Sequence, residues 1–269
     1  MTNQFTRRSS LRGRSLWLFV LPGSVLACLL ALPLAALLWR ALTSGAMSQA
    51  AAPAALSALW LSVLTASLST LLALVTGTPL AYALARWPVR GRHWLELLVD
   101  LPVVLPPSVA GLALLMAFGR RGVLGGALEA VGLTLPFTTA AVVLAQTFVA
   151  APFFVRAARI GFAAIDIHLE EAAHTEGANP WQMFRYIMLP LSGRALVAGA
   201  VLCWTRALGE FGATILLFAG NLPGRTQTMP LAIYLGFEQN LALALALSAL
   251  LLVASAVVLG VLRKLETRD

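Results

Sequence analysis

The chain has 269 residues, 59% of them hydrophobic and only 11% charged, with a formal net charge of +8. Soluble domains carry roughly a quarter charged residues, so this composition excludes an ordinary globular domain and points to an all-α polytopic membrane protein. Cys28 and Cys203 both sit in apolar runs with no CxxC or Cys/His spacing, so there is no disulfide framework and no metal site to assign.

Residues 1–15 read as a basic tail carrying Arg7, Arg8, Arg12 and Arg14. The stretch Thr6–Leu11 faintly resembles a twin-arginine export signal. The apolar run behind it, Leu16–Leu38, is too long for a signal segment and reads as an uncleaved first span. A membrane-crossing helix needs about 20 mainly apolar residues. Six stretches qualify: Leu16–Leu38, Leu56–Ala85, Leu95–Phe118, Phe137–Val155, Ala195–Ala219 and Leu241–Leu262. Residues 16–262 are therefore expected to form one transmembrane domain, with 263–269 as a second short tail.

The third span contains Asp100-Leu101-Pro102-Val103-Val104-Leu105-Pro106-Pro107-Ser108. Proline removes a backbone donor and clashes one turn back, so this run predicts an irregular helix. Irregular backbone survives in a bilayer only where protein or water covers it. Pro106, Pro107 and Ser108 are thus candidates to line a translocation path; a kinked packing helix is the alternative. The loop that follows, Gly119–Gly126, exposes Arg120 and Arg121, either to a partner or to water.

Residues 160–193 are the polar exception in an apolar chain. Asp166 is placed to cap a helix through His174, and Gly177 to end it. Asn179-Pro180 then turns the chain, and Pro180 suits the first position of a second helix. The prediction is a short, rigid elbow between two spans.

The fifth span carries Arg206 and Glu210, four residues apart and so on one helix face, with Thr214 beyond them. A charge at mid-membrane costs roughly 2.5–3.5 kcal/mol on insertion scales, so the two are expected to pair and to face the bundle or water. They line an anion path or lock helix packing; the second reading is favoured because a neutralised pair attracts anions poorly. The next loop, Ala219–Leu231, is rich in turn residues and offers Asn221, Arg225 and Thr226 as contacts for a partner.

With the N-terminus inside, Lys and Arg divide fourteen inside to four outside, leaving Arg206 within a span. That bias places both termini and the elbow in the cytoplasm of a cell inner or plasma membrane. It accounts for the positive charge without nucleic acid.

Glu171-Ala172-Ala173, Gly177, Ile187 and Leu189-Pro190 fall at the spacing of a family signature. In this the chain resembles permease subunits of binding-protein-dependent ABC importers, which have a MetI-like transmembrane fold. LPVVLPPSVAG (Leu101–Gly111), ALGEFGAT (Ala207–Thr214) and AGNLPGRTQTMPLAIY (Ala219–Tyr234) narrow the resemblance to oxyanion permeases, molybdate ahead of tungstate and sulfate or thiosulfate. One departure is Glu176, where the family more often has an apolar residue.

The resemblance implies that the elbow holds a coupling helix docking on a cytoplasmic ATPase subunit through Asp166, Leu169, Glu170, Glu171, Ala172, Ala173, Gly177 and Ala178. It also implies two copies of this chain surrounded by lipid, two ATPase subunits that bind ATP and Mg, and an external oxyanion-binding protein meeting Arg120, Arg121, Asn221, Arg225 and Thr226. The chain itself, having no G-x-x-x-x-G-K-[ST] phosphate loop, is expected to bind no cofactor and to be no enzyme. An ion-coupled transporter or channel is the competing class. It is disfavoured because the clear mid-span acid, Glu210, has Arg206 beside it. An intramembrane enzyme is less favoured still, since His93, His168 and His174 all lie in loops.

Overall fold

The computed structural model describes the backbone of residues 5–88, 90–215 and 219–266, and side chains from residue 20 onward within those ranges except 261–263, 265 and 266. Every regular element among them is helical. In order these are α1 (Phe5–Thr43), a 3₁₀ turn (Ala46–Ala51), α2 (Pro53–Arg86), α3 (Arg92–Val104), α4 (Pro107–Phe118), α5 (Gly125–Ala130) and α6 (Thr139–Ala163). Then come α7 (Ile167–Thr175), α8 (Pro180–Gln182), a π turn (Met183–Met188), α9 (Leu189–Leu191), α10 (Gly193–Leu208), α11 (Met229–Gln239) and α12 (Leu241–Glu266).

Among the described residues four helices are long and apolar enough to cross a membrane, and the count reaches six when two bent pairs are each taken as one span. Each of the six expected spans overlaps one of these, the third as a broken helix and the fifth joined to the elbow by a bend. α3 and α4 meet at 119°, and the run Pro180–Leu191 meets α10 at 71°. The first break falls at Leu105-Pro106, where Leu105 is extended (ψ 136°) as a residue before proline must be. Pro102 stays inside α3, so the proline run interrupts the helix at one place only.

The fifth expected span is corrected. Its helix stops at Leu208, well short of Ala219: Gly209 ends it, and Glu210 caps a separate short helical stretch that begins at Gly212. Leu216, Leu217 and Phe218 lie outside the described residues. The fourth span runs on to Ala163, and α5 and α11 fall where the sequence suggested only loops. The basic N-terminal stretch is helical from Phe5 onward.

α2, α6 and α10 pack together as the centre of the molecule. Their contact surface is built largely from alanine, with Ala66, Ala73, Ala81, Ala150, Ala158 and Ala207 all buried. Small side chains let backbones approach closely, which is how helices associate where lipid offers no hydrophobic contrast. Hydrogen bonds between helices add to this. Ser69 Oγ lies 3.0 Å from the Val143 carbonyl and 3.1 Å from Gln146 Oε1, and Met229 N–H donates to Ser62 Oγ at 2.7 Å. α11 and α12 pack as a pair at one flank. α1 lies outermost against α12, and its apolar stretch from Val20 is almost wholly bare.

The two interruptions touch. A methyl added to Gly212 would sit 2.2 Å from Pro107 Cβ, and one on Gly111 3.0 Å from the Ala213 carbonyl oxygen. Gly212 therefore has no room for a side chain against the α4 start, and Gly111 has little. Gly212→Ala is expected to lower stability by about 1–3 kcal/mol, the scale of overpacking. Gly126→Ala, with open space around it, should change little. Thermal unfolding of both variants in detergent, against the parent chain, checks this.

Candidate functional site

The elbow forms as its residues require. Asp166 caps α7, accepting a hydrogen bond from His168 N–H at 3.0 Å. At the other end Gly177 adopts φ 82°. Ala178 N–H returns to the Ala173 carbonyl at 2.9 Å, and Gly177 N–H to the His174 carbonyl at 3.0 Å. This Schellman closure needs a residue that enters the left-handed region cheaply, which is glycine. Asn179 and Gln182 then form a reciprocal capping box at 2.8 and 2.9 Å around Pro180.

No side chain of α7 is buried. Leu169, Glu171 and Ala172 are exposed, while Glu170, Ala173 and Ala178 are half-buried. Glu171 lies 3.2 Å from His168 Nδ1. The second limb is held differently. Met183 and Met188 are buried, and Phe184 stacks on Tyr82 with ring centres 5.0 Å apart. Tyr82 in turn meets Phe162 at 5.4 Å, so α2, α6 and the π turn share one aromatic joint.

Arg86, the last residue of α2, had only a topological role in the sequence. In the structure it donates to the Phe162 carbonyl at 2.7 Å and to the Ile165 carbonyl, and its Nε stands 3.0 Å from Glu170 Oε1. That last contact is an ion pair without good hydrogen-bond alignment. Arg156 pairs with Asp100 at 2.6 Å, and Arg159 with Glu96, which also takes Arg92 at 2.8 Å. The Arg156 and Arg159 bonds tie α3 to α6. No sequence spacing reveals these two, because their partners lie far apart in the chain.

Among the expected path residues, Pro106, Pro107 and Ser108 are exposed at the start of α4. Arg206 and Glu210 do pair, at 2.8 Å, although Glu210 lies past the end of α10. Glu210 is 2% exposed and its other oxygen accepts from Ala213 N–H at 2.8 Å, while the Arg206 side chain is 34% exposed. The carboxylate thus holds together the turn that breaks the span. Thr214 is fully buried and donates to the Phe211 carbonyl.

The expected partner-facing residues gather at the end opposite α7. Arg120, Arg121 and Arg225 are exposed, and Asn221 is half-buried. Thr226 requires a correction: it is fully buried, and its hydroxyl accepts from Leu222 N–H at 2.8 Å, so it closes its own loop and offers nothing to a surface. Thr139 anchors that loop to α6 by donating to the Arg225 carbonyl at 2.8 Å.

The family model for the inner membrane component of binding-protein-dependent transport systems matches residues 77–268. This multi-pass membrane chain belongs to that family. It is 48% identical over 210 residues to the molybdenum transport system permease protein ModB of Mycobacterium tuberculosis, covering 78% of this chain and 79% of that one. It is 36% identical over 226 residues to a probable sulfate transport system permease protein cysT of Chlorokybus atmophyticus, covering 83% and 79%. The fold matches a chain of a bacterial alginate ABC transporter crystallised with an alginate pentasaccharide-bound periplasmic protein, at TM-score 0.78, 18% identity and 97% and 96% coverage.

Glu210→Ala would leave the Arg206 guanidinium and the buried Ala213 N–H without an acceptor. The expected loss is about 1–3 kcal/mol, the cost of stranding buried polar groups. Because Arg206 still reaches solvent, the penalty stays below that of a fully buried pair. Glu210→Gln should keep the Ala213 bond and lose less. Unfolding midpoints of the two variants test the order.

Proposed function

We propose that the chain is the membrane-spanning permease of an importer that receives a tetrahedral oxyanion, molybdate first, from an external binding protein. ATP hydrolysis on separate subunits drives passage into the cell. α7 carries this reading: a polar helix with no buried side chain, capped at both ends, followed by a π turn that an aromatic joint fixes to α2 and α6. An element so exposed and so fixed in shape serves as a handle for another protein.

The resemblance to ModB supports molybdate, and the more distant likeness to a sulfate permease keeps sulfate as the second reading. Docking falls to the outward face of α7, above all Leu169, Glu171 and Ala172, with Asp166 and Gly177 holding its ends. A docked ATPase pair that binds two permease conformations with different affinity shifts the balance between them, which is all that coupling requires. The path runs by the exposed Pro106–Ser108 turn and Arg206, with Glu210 and Thr214 as its scaffold. Arg120, Arg121 and Arg225 meet the binding protein, and the bare length of α1 is covered by lipid and a second copy.

Gly177→Pro cannot adopt φ 82°, because proline holds φ near −65°. It and Glu171→Lys are expected to cut ATP-driven uptake by about tenfold or more, the scale of a coupling free energy. Normal uptake at normal subunit assembly removes the elbow from the mechanism. In vesicles carrying ATPase subunits and binding protein, unlabelled tungstate should compete with radiolabelled molybdate better than sulfate does; the reverse order selects the sulfate reading. In intact cells, a cysteine at position 174 in a cysteine-free background should resist impermeant thiol reagents. Labelling there would put the elbow on the outer face.

A further inference from the structure

We propose that Arg86 is the positioning residue of the elbow: one guanidinium fixes the bearing of α7 on α2 and α6, so that a push on α7 moves all three together. The inference rests on the coupling role assigned to α7 and adds the part that transmits the push.

α7 has no apolar anchor of its own. None of its side chains is buried, and Ala173 alone packs part-way onto the central cluster. What ties it to the bundle by charge is Glu170, half-buried with its side chain 16% exposed, against Arg86 at 9%. Arg86 closes α2 and has its terminal nitrogen on the Phe162 and Ile165 carbonyls at the end of α6. Its Nε faces Glu170 at 3.0 Å. One side chain therefore joins three elements at the corner where α6 turns into α7.

The neighbouring arginines are committed elsewhere: Arg92 and Arg159 to Glu96, and Arg156 to Asp100. One turn earlier on α2, Tyr82 sits in the aromatic joint with Phe162 and Phe184. The second limb of the elbow is thus held by apolar packing and the first by Arg86. A planar guanidinium reaches acceptors in two directions at once, whereas a lysine ammonium is a point charge on a flexible stem.

The test uses the full complex of permease, ATPase subunits and binding protein in proteoliposomes, with molybdate as the probe. Glu170→Gln removes the charge pair with little change of shape, and Arg86→Lys keeps the charge but loses the fork. Hydrogen exchange of residues 167–175 is followed alongside molybdate imported per ATP hydrolysed. Both variants should assemble, exchange α7 amides about tenfold faster while α6 is unchanged, and import about tenfold less molybdate per ATP.

Wild-type exchange and wild-type transport per ATP in both variants overturn the proposal. So does faster exchange or a lower melting temperature with transport per ATP unchanged, which marks a merely structural tie. If Arg86→Lys does not assemble, Glu170→Gln alone decides. Failure of the underlying coupling role looks different. Adding ATPase subunits would then leave α7 exchange unchanged even in the wild-type complex, and both readings fall.

Discussion

A helix that stops inside a bilayer frees backbone donors and acceptors that lipid cannot satisfy. This chain stops two helices and sets one interruption against the other. The turn after α10 packs on the start of α4 through Gly212 and Pro107. Its freed Ala213 N–H is taken by the Glu210 carboxylate, and that charge is balanced by Arg206. Each compensation depends on the next. A buried acid is tolerated here because it holds freed backbone, with its counter-charge one turn away.

The opposite end is solved by arginine. Arginines that the sequence offers only as a charge bias also join helices: Arg86 to the end of α6 and to α7, and Arg156 and Arg159 to α3. α3 has no buried side chain; Leu95 and Val99 pack part-buried on the central cluster, and these ion pairs add to that contact. Positive residues near helix ends thus act as ties, which hydropathy with charge counting does not show.

The six spans and the elbow were legible because each rests on a local pattern. About 20 apolar residues, an Asp before a helix, a Gly after it and an Asn-Pro pair all act within a few positions of themselves. The elbow came out as read, down to Asp166 as cap and Gly177 in the left-handed region. The end of the fifth span was misread because Leu, Phe and Ala dominate it, and hydropathy cannot distinguish a helix from a buried turn held by one carboxylate. Thr226 was misread because a polar residue in a polar loop looks exposed, while the fold turns its hydroxyl inward to Leu222. The Arg86–Glu170 tie had no local trace, since two distant segments create it.

The alanine-built centre sets an asymmetry in how this protein tolerates change. Where a soluble core offers leucines whose truncation opens a void, Ala66, Ala73, Ala150 and Ala158 have a single methyl to lose. Deletion at these positions opens almost no empty volume, and its cost is mainly the roughly 0.5–1 kcal/mol by which glycine weakens a helix interior. Growth is another matter, since any larger side chain must push whole helices apart. What such a bundle demands at these positions is therefore a ceiling on side-chain size more than any particular chemistry.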